Sequence, residues 1–215
     1  MHAFLRSDYL ARRLGQLLLG LFLYGIALAL MIRASIGISP WDVLSQGVSR
    51  QTGLPFGLVT NLIGALVLVL WWPIGQKPGL GTVLNVLLIG PSAELGLQVI
   101  PRQSELLLQI VVFAAGLGLL AVATGLYIGA RFGPGPRDGL MTGLHRRTGR
   151  PIWQVRTVIE VTVLTLGWLL GGDVGVGTLA FAALVGPLVN LTLPVLRVPE
   201  RPTTARSPAA PGVPE

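Results

Sequence analysis

Charged residues fall in a few clusters, and between them the chain runs apolar over lengths that match a bilayer. Leu14–Ile32, Gln51–Gln76, Leu106–Ala130 and Val174–Leu196 carry no charge, and only Glu94 interrupts the stretch between Lys77 and Arg102. A helix rises about 1.5 Å per residue, so about 20 apolar residues cross the hydrocarbon core. The pattern predicts an all-α, polytopic membrane protein with six spanning helices near 14–34, 54–74, 80–100, 105–130, 151–171 and 176–196. Arg156 and Glu160 make the fifth the least apolar of the six.

The pattern is also written twice, at an offset of 96 residues. Gly37-Ile38-Ser39-Pro40-Trp41-Asp42 returns as Gly133-Pro134-Gly135-Pro136-Arg137-Asp138, and Thr52-Gly53-Leu54-Pro55 as Thr148-Gly149-Arg150-Pro151. Gly79-Leu80-Gly81-Thr82 returns as Gly175-Val176-Gly177-Thr178, and Gly90-Pro91 as Gly186-Pro187. Leu and Gly inflate chance matches in such a chain, but they do not place Pro, Thr and Asp in one common register. The expected organisation is an N-terminal segment 1–13, a first three-helix repeat over 14–100, a second over 105–196, and a tail, 197–215, too rich in Pro and polar residues to order itself.

Between the first two helices of each unit lies a segment that is not an ordinary loop. Ser39 suits an N-cap, Pro40 the first helical position, and Asp42 the third, where a carboxylate reaches back to free amides. Gly53 suits a C-terminal stop. Short helices are therefore expected over Pro40–Ser49 and Pro136–Arg146, either re-entrant or interfacial.

Charge then orients the bundle. Of sixteen Lys and Arg, all but Arg33, Arg50 and Arg102 gather on the side that holds both termini. The positive-inside rule places both termini in the cytoplasm. Three spans is an odd number, so the two units run in opposite senses and form inverted repeats, an arrangement recurrent in secondary transporters. The Arg bias with abundant Gly and Pro suits a bacterial inner (plasma) membrane protein. Arg flanking membrane helices accounts for the net charge of +7, so no nucleic acid is implied.

Candidate chemistry is confined to a few polar residues at membrane depth. Glu160 lies about 15 Å into its helix, near the midplane, with Arg156 one turn below. They form either a site or a self-neutralising structural pair, and Gly64 and Thr60 stand in their places in the first unit. Glu94 follows the Gly90-Pro91 break, and Asn190 follows Gly186-Pro187. Each fits a site or gate, or equally a polar residue tending the backbone that proline frees. Asp42 and Asp138 either face a ligand beside helix N-termini or simply cap their helices. In falling order the candidates for binding a substrate or ion are Glu160, Glu94, Asp42, Asp138, Asn190 and Arg156. Asn61 and Asn85 rank below them. The Gly-x-Gly-Thr motifs have no strand before them and no Lys after, so they read as tight turns and close packing.

Cysteine is absent and His2 and His145 stand alone, so neither a disulfide nor a metal centre is expected. No Ser/His/Asp arrangement suggests an enzyme, and no cofactor is implied.

The Gly37–Asp42 motif, Thr52-Gly53-x-Pro55-x-Gly57, and Gly79-x-Gly81-Thr82 with Gly90 resemble the bacterial YczE/YyaS/YitT-type integral membrane proteins over about 14–196. The resemblance implies a multi-span bacterial membrane protein and brings no catalytic residues with it. The expected function is a small secondary transporter or permease for a small polar solute or ion. The alternative is a non-transporting accessory or scaffold protein for a membrane-bound biosynthetic or stress system. The lipid bilayer is the expected partner, and self-association into a homo-oligomer stays open.

Overall fold

The computed structural model describes residues 2–199, so the expected disordered tail lies outside the described residues except for 197–199. Eight helices follow one another among the described residues: α1 (His2–Ala34), α2 (Pro40–Thr52), α3 (Phe56–Ile74), α4 (Leu80–Val99), α5 (Leu106–Gly129), α6 (Pro136–Thr148), α7 (Ile152–Leu169) and α8 (Val176–Leu196). The all-α expectation holds, with no strand among the described residues. Five helices, α1, α3, α4, α5 and α8, are long and apolar enough to cross a membrane. The expected sixth, α7, has 18 residues, but Arg156 and Glu160 keep it out of that set. Helix α1 begins at His2 rather than near residue 14, because no Gly or Pro occurs before Gly15 to stop it.

Both short helices form where capping chemistry places them, three and two residues longer than expected. Each ends on a glycine in the left-handed region, Gly53 at φ 72° and Gly149 at φ 67°. Their amides close back on Ser49 and His145 at 2.8 and 2.9 Å.

The bundle is built around α1 packed along α5, with α4 on the outer side of α1 and α8 on that of α5. Lipid tails are as apolar as leucine, so close backbone approach rather than release of water holds such helices together. Gly20 and Gly116, 96 residues apart, make that approach possible. A Cβ on Gly20 would lie 2.8 Å from the Tyr127 amide nitrogen, and one on Gly116 2.9 Å from Met31 Cγ. Outward faces carry large apolar side chains such as Leu66, Val69, Leu107, Leu179 and Val195.

The short helices exchange partners between the two halves. Helix α2 packs on α7, and α6 packs on α3. The Gly-x-Gly-Thr motifs hold the loops that lead into them. The Gly81 amide donates to Phe132 O at 2.9 Å, and the Gly177 amide donates to Ile36 O at 2.7 Å. Close packing at these motifs was legible from sequence, but not that each grips the entry loop of the other half's short helix.

The far ends of α2 and α6 are fastened in the same crossed manner. Arg146 and Arg147 of α6 donate to Gln76 and to the Pro73 carbonyl. On α2, Arg50 meets Asp173 through two parallel bonds of 2.8 and 2.7 Å, and Gln46 Nε2 donates to the same carboxylate at 3.0 Å. Partial burial pushes the Asp173 carboxyl up, but the hydrogen bonds and charge of Arg50, with Gln46, outweigh it and hold the group below its ordinary value. A lowered folded-state pKa stabilises above the unfolded value, about 3.9, and that contribution is lost as pH falls through the folded one. Both side chains are about two-fifths exposed, so screening limits the effect to at most about 1 kcal/mol. Melting temperature measured from pH 6 downward should therefore converge with that of Asp173→Asn under acid. A constant gap between the two proteins would remove the clasp from the stability of this loop.

Candidate functional site

The N-termini of α2 and α6 meet inside the bundle. At the start of α2, Ser39 caps the helix as expected, accepting from the Asp42 amide at 3.4 Å, while the Asp42 carboxylate, expected to reach a free amide, instead bonds the Ser39 hydroxyl. The other oxygen of Asp42 accepts from Arg137 Nη2 of α6 at 3.2 Å. Asp42 is 1% exposed, so this pair bridges the two short helices through the interior. The Arg137 guanidinium also lies 5.3 Å from the centre of the Trp41 ring. Arg137 occupies the place of Trp41 in the repeat, and the fold sets one over the other. Trp71 fixes the start of α6 by donating from Nε1 to Pro136 O at 3.0 Å.

Asp138 holds the position in α6 that Asp42 holds in α2, but its surroundings differ. Gly135 replaces Ser39, so no side chain caps the helix. The Asp138 carboxylate instead accepts the Tyr127 hydroxyl at 3.0 Å, and Tyr127 stands edge-on to Tyr24 with ring centres 6.0 Å apart. No Lys or Arg among the described residues pairs with Asp138. Its surface is exposed although it sits deep among the helices, because it faces two chambers.

The smaller chamber, about 70 Å³, lies against α3 and α4 and touches Thr60, Gly64 and Ile89. The larger, about 230 Å³, lies against α7 and α8 and touches Arg156, Glu160 and Val185. These are the same three positions advanced by 96 residues. Tyr24, Tyr127, Arg137 and Asp138 line both chambers and form the wall between them.

The chambers differ in size because one helix pair is locked and the other is not. Pro91 has no amide to donate to Leu87 O, one turn earlier. Asn61 Nδ2 donates to that carbonyl at 3.3 Å, and Asn61 Oδ1 accepts from the Gly90 amide at 3.0 Å. Glu94 completes the seam by accepting from the Gly57 amide at 3.0 Å, where α3 begins. Gly57 and Gly90 lie so close that a Cβ on either would overlap the other's carbonyl oxygen. In the second unit Trp153 replaces Gly57, Thr157 replaces Asn61 and Asn190 replaces Glu94. Helices α7 and α8 stand apart, and a Cβ on Gly186 would meet nothing within 4 Å.

Of the residues nominated from sequence, Asp138, Arg156, Glu160 and Asn190 line the larger chamber together. Arg156 Nε and Glu160 Oε1 pair at 2.9 Å along one face of α7. Asp42 lies one layer behind, reached through Arg137. Glu94, on α4, is away from the chambers, and its carboxylate meets the start of α3. Arg137, Tyr24 and Tyr127 were not nominated. Arg137 carried a usable signal, as a charge where the first copy has Trp41. The tyrosines carried none, since aromatic residues in apolar helices are ordinary. Among the described residues no group of three or more potential metal ligands occurs.

A family model described as "Family of unknown function (DUF6198)" matches residues 11–194. An uncharacterized protein of Haemophilus influenzae is 36% identical over 187 residues, 86% of each chain. The uncharacterized membrane protein YczE of Bacillus subtilis is 34% identical over 172 residues, 80% of each chain. The uncharacterized protein YyaS of the same organism is 28% identical over 182 residues, 83% of this chain and 90% of its own. No solved structure matches the chain.

Proposed function

This chain is a membrane protein belonging to the DUF6198 family, and we propose that it works as a small secondary transporter with its site between two inverted halves. The observation that carries this reading is the unequal pair of chambers that share Asp138. Inverted repeats can exchange conformations, so that what is locked in one half becomes open in the other. In the arrangement described, α3 and α4 are the closed pair and α7 and α8 the open one. Exchange would enlarge the chamber at Thr60 and Gly64 and shrink the one at Arg156 and Glu160, moving a solute past the wall between them. With both termini in the cytoplasm, the larger chamber adjoins the inner half of α7 and α8.

The absence of cysteine makes this directly testable, because any introduced thiol is the only one in the chain. In proteoliposomes, Asn190→Cys, exposed in the larger chamber, should react readily with a small maleimide, and the buried Ile89→Cys slowly. A gradient that protects the first should expose the second. Reactivities unmoved by any pH, ion or solute gradient would count against alternating access. An accessory role is the second reading, favoured by the exposed groove that Leu144, Trp153 and Val158 form on α6 and α7 beside Arg150. Stoichiometric copurification of a partner, with both thiols unreactive, would select it.

A further inference from the structure

We infer that the larger chamber takes a monovalent organic cation with a small apolar body, exchanged one for one against a proton at Asp138. The inference rests on the transport reading and gives that site its substrate class. Its basis is a count of charges. The described titratable and charged groups lining the chambers are Tyr24 of α1, Tyr127 of α5, Arg137 and Asp138 of α6, and the Arg156–Glu160 pair of α7, with Asp42 of α2 one layer behind Arg137. Arg137 is spent on Asp42 and Arg156 on Glu160, at 3.2 and 2.9 Å. Three carboxylates therefore face two guanidiniums, and Asp138 is left over, held only by the neutral Tyr127 hydroxyl at 3.0 Å.

A carboxylate without a cation of its own, deep among apolar helices, is costly, which favours a proton or a bound cation on Asp138. The exchange balances without any further reactant. The protonated carboxyl gives its proton to water as the cation enters, and the total charge of the chamber stays the same on both sides of the step. An anion would instead add a second negative charge beside Asp138.

The walls fit an organic rather than a bare ion. Tyr24, Trp41, Tyr127 and Phe181 supply aromatic surface, which attracts alkylammonium groups. A small hydrated metal ion would need several oxygen ligands, and only one carboxylate is unpaired. Trp41 lines the chamber with its ring and is 7% exposed. The gap between α7 and α8 opens the same chamber sideways at Glu160 and Gly186, a route for a molecule that partitions into the bilayer.

Titration calorimetry on the purified full chain in nanodiscs tests the idea, using benzyltrimethylammonium as the cation and benzenesulfonate as an anion of similar size. Repeating it in buffers of different ionisation enthalpy counts protons. The cation should bind, the sulfonate should not, and one proton should leave per cation at acid pH. In that range affinity should fall about tenfold per pH unit as the proton competes. Asp138→Asn should weaken the cation at least about thirtyfold and abolish proton release. The paired substitution Arg50→Gln with Asp173→Asn, away from both chambers, leaves the net charge alone and should keep affinity within about threefold. Equal binding of the sulfonate, cation binding without proton release by the wild type, or full affinity in a folded Asp138→Asn protein would overturn the inference. Proton-releasing cation binding with no proton-driven counterflow in proteoliposomes would uphold the site while sinking the transport reading.

Discussion

Replacing Arg137 by Leu is expected to destabilise the fold by about 3–5 kcal/mol, the usual cost of stripping a buried carboxylate of its partner. Asp42 is 1% exposed and, among the described residues, has no other cation, only the Ser39 hydroxyl. The same change also removes the guanidinium from the face of Trp41. Arg50→Leu is the internal control, since both side chains of its pair are about two-fifths exposed and Asp173 keeps its bond from Gln46. Its cost should stay below about 1 kcal/mol. The combination Asp42→Asn with Arg137→Leu should recover most of the loss, because the remaining amide can keep the Ser39 bond without a stranded charge. Equilibrium unfolding in mixed micelles reads all of these. Equal losses for Arg137→Leu and Arg50→Leu, or no recovery in the double variant, would show that the bridge between α2 and α6 is not what holds their ends together.

The second large effect is a contrast between two glycines that the repeat makes equivalent. Gly90→Val should cost at least about 2 kcal/mol. Its Cβ would overlap the Gly57 carbonyl and the Asn61 amide oxygen, adding overpacking of about 1–3 kcal/mol to the weakening of two hydrogen bonds. Gly186→Val meets open space, so its cost should lie within about 0.5 kcal/mol of zero. If α7 and α8 close when α3 and α4 open, Gly186→Val should nonetheless block transport while leaving the melting temperature unchanged. Two variants of similar stability would mean that the α3–α4 seam is loose and that the size difference between the chambers has another origin.

Capping explains why the short helices were legible. Ser39, Pro40 and Asp42 lie within one turn, so the start of α2 depends only on neighbours in the chain. The same holds for Gly53 and Gly149, which stop α2 and α6 through their own backbone angles. The polar residues of the repeat were harder to rank, because their meaning depends on partners far along the chain. Glu94 stood second among the candidates, and the fold gives it to the first turn of α3. Asp138 ranked fourth, level in appearance with Asp42, yet one is sealed by a guanidinium and the other faces both chambers. The difference between them rests on Gly135 in place of Ser39 and on a hydroxyl from α5, and only the first of these could be read locally.

By itself the sequence determined the helical class, five of the six expected apolar spans, both short helices and the internal match at an offset of 96 residues. All of these follow from hydrophobic length, from capping within a turn, or from comparing the chain with itself. The tertiary structure decided which equivalent residues still do equivalent work. Only packing brings Arg137 to Asp42, Asn61 to the carbonyl freed by Pro91, and Tyr127 to Asp138. Those contacts join residues separated by 95, 26 and 11 positions, and a polar side chain in an apolar helix acquires its role from the group it meets across the bundle.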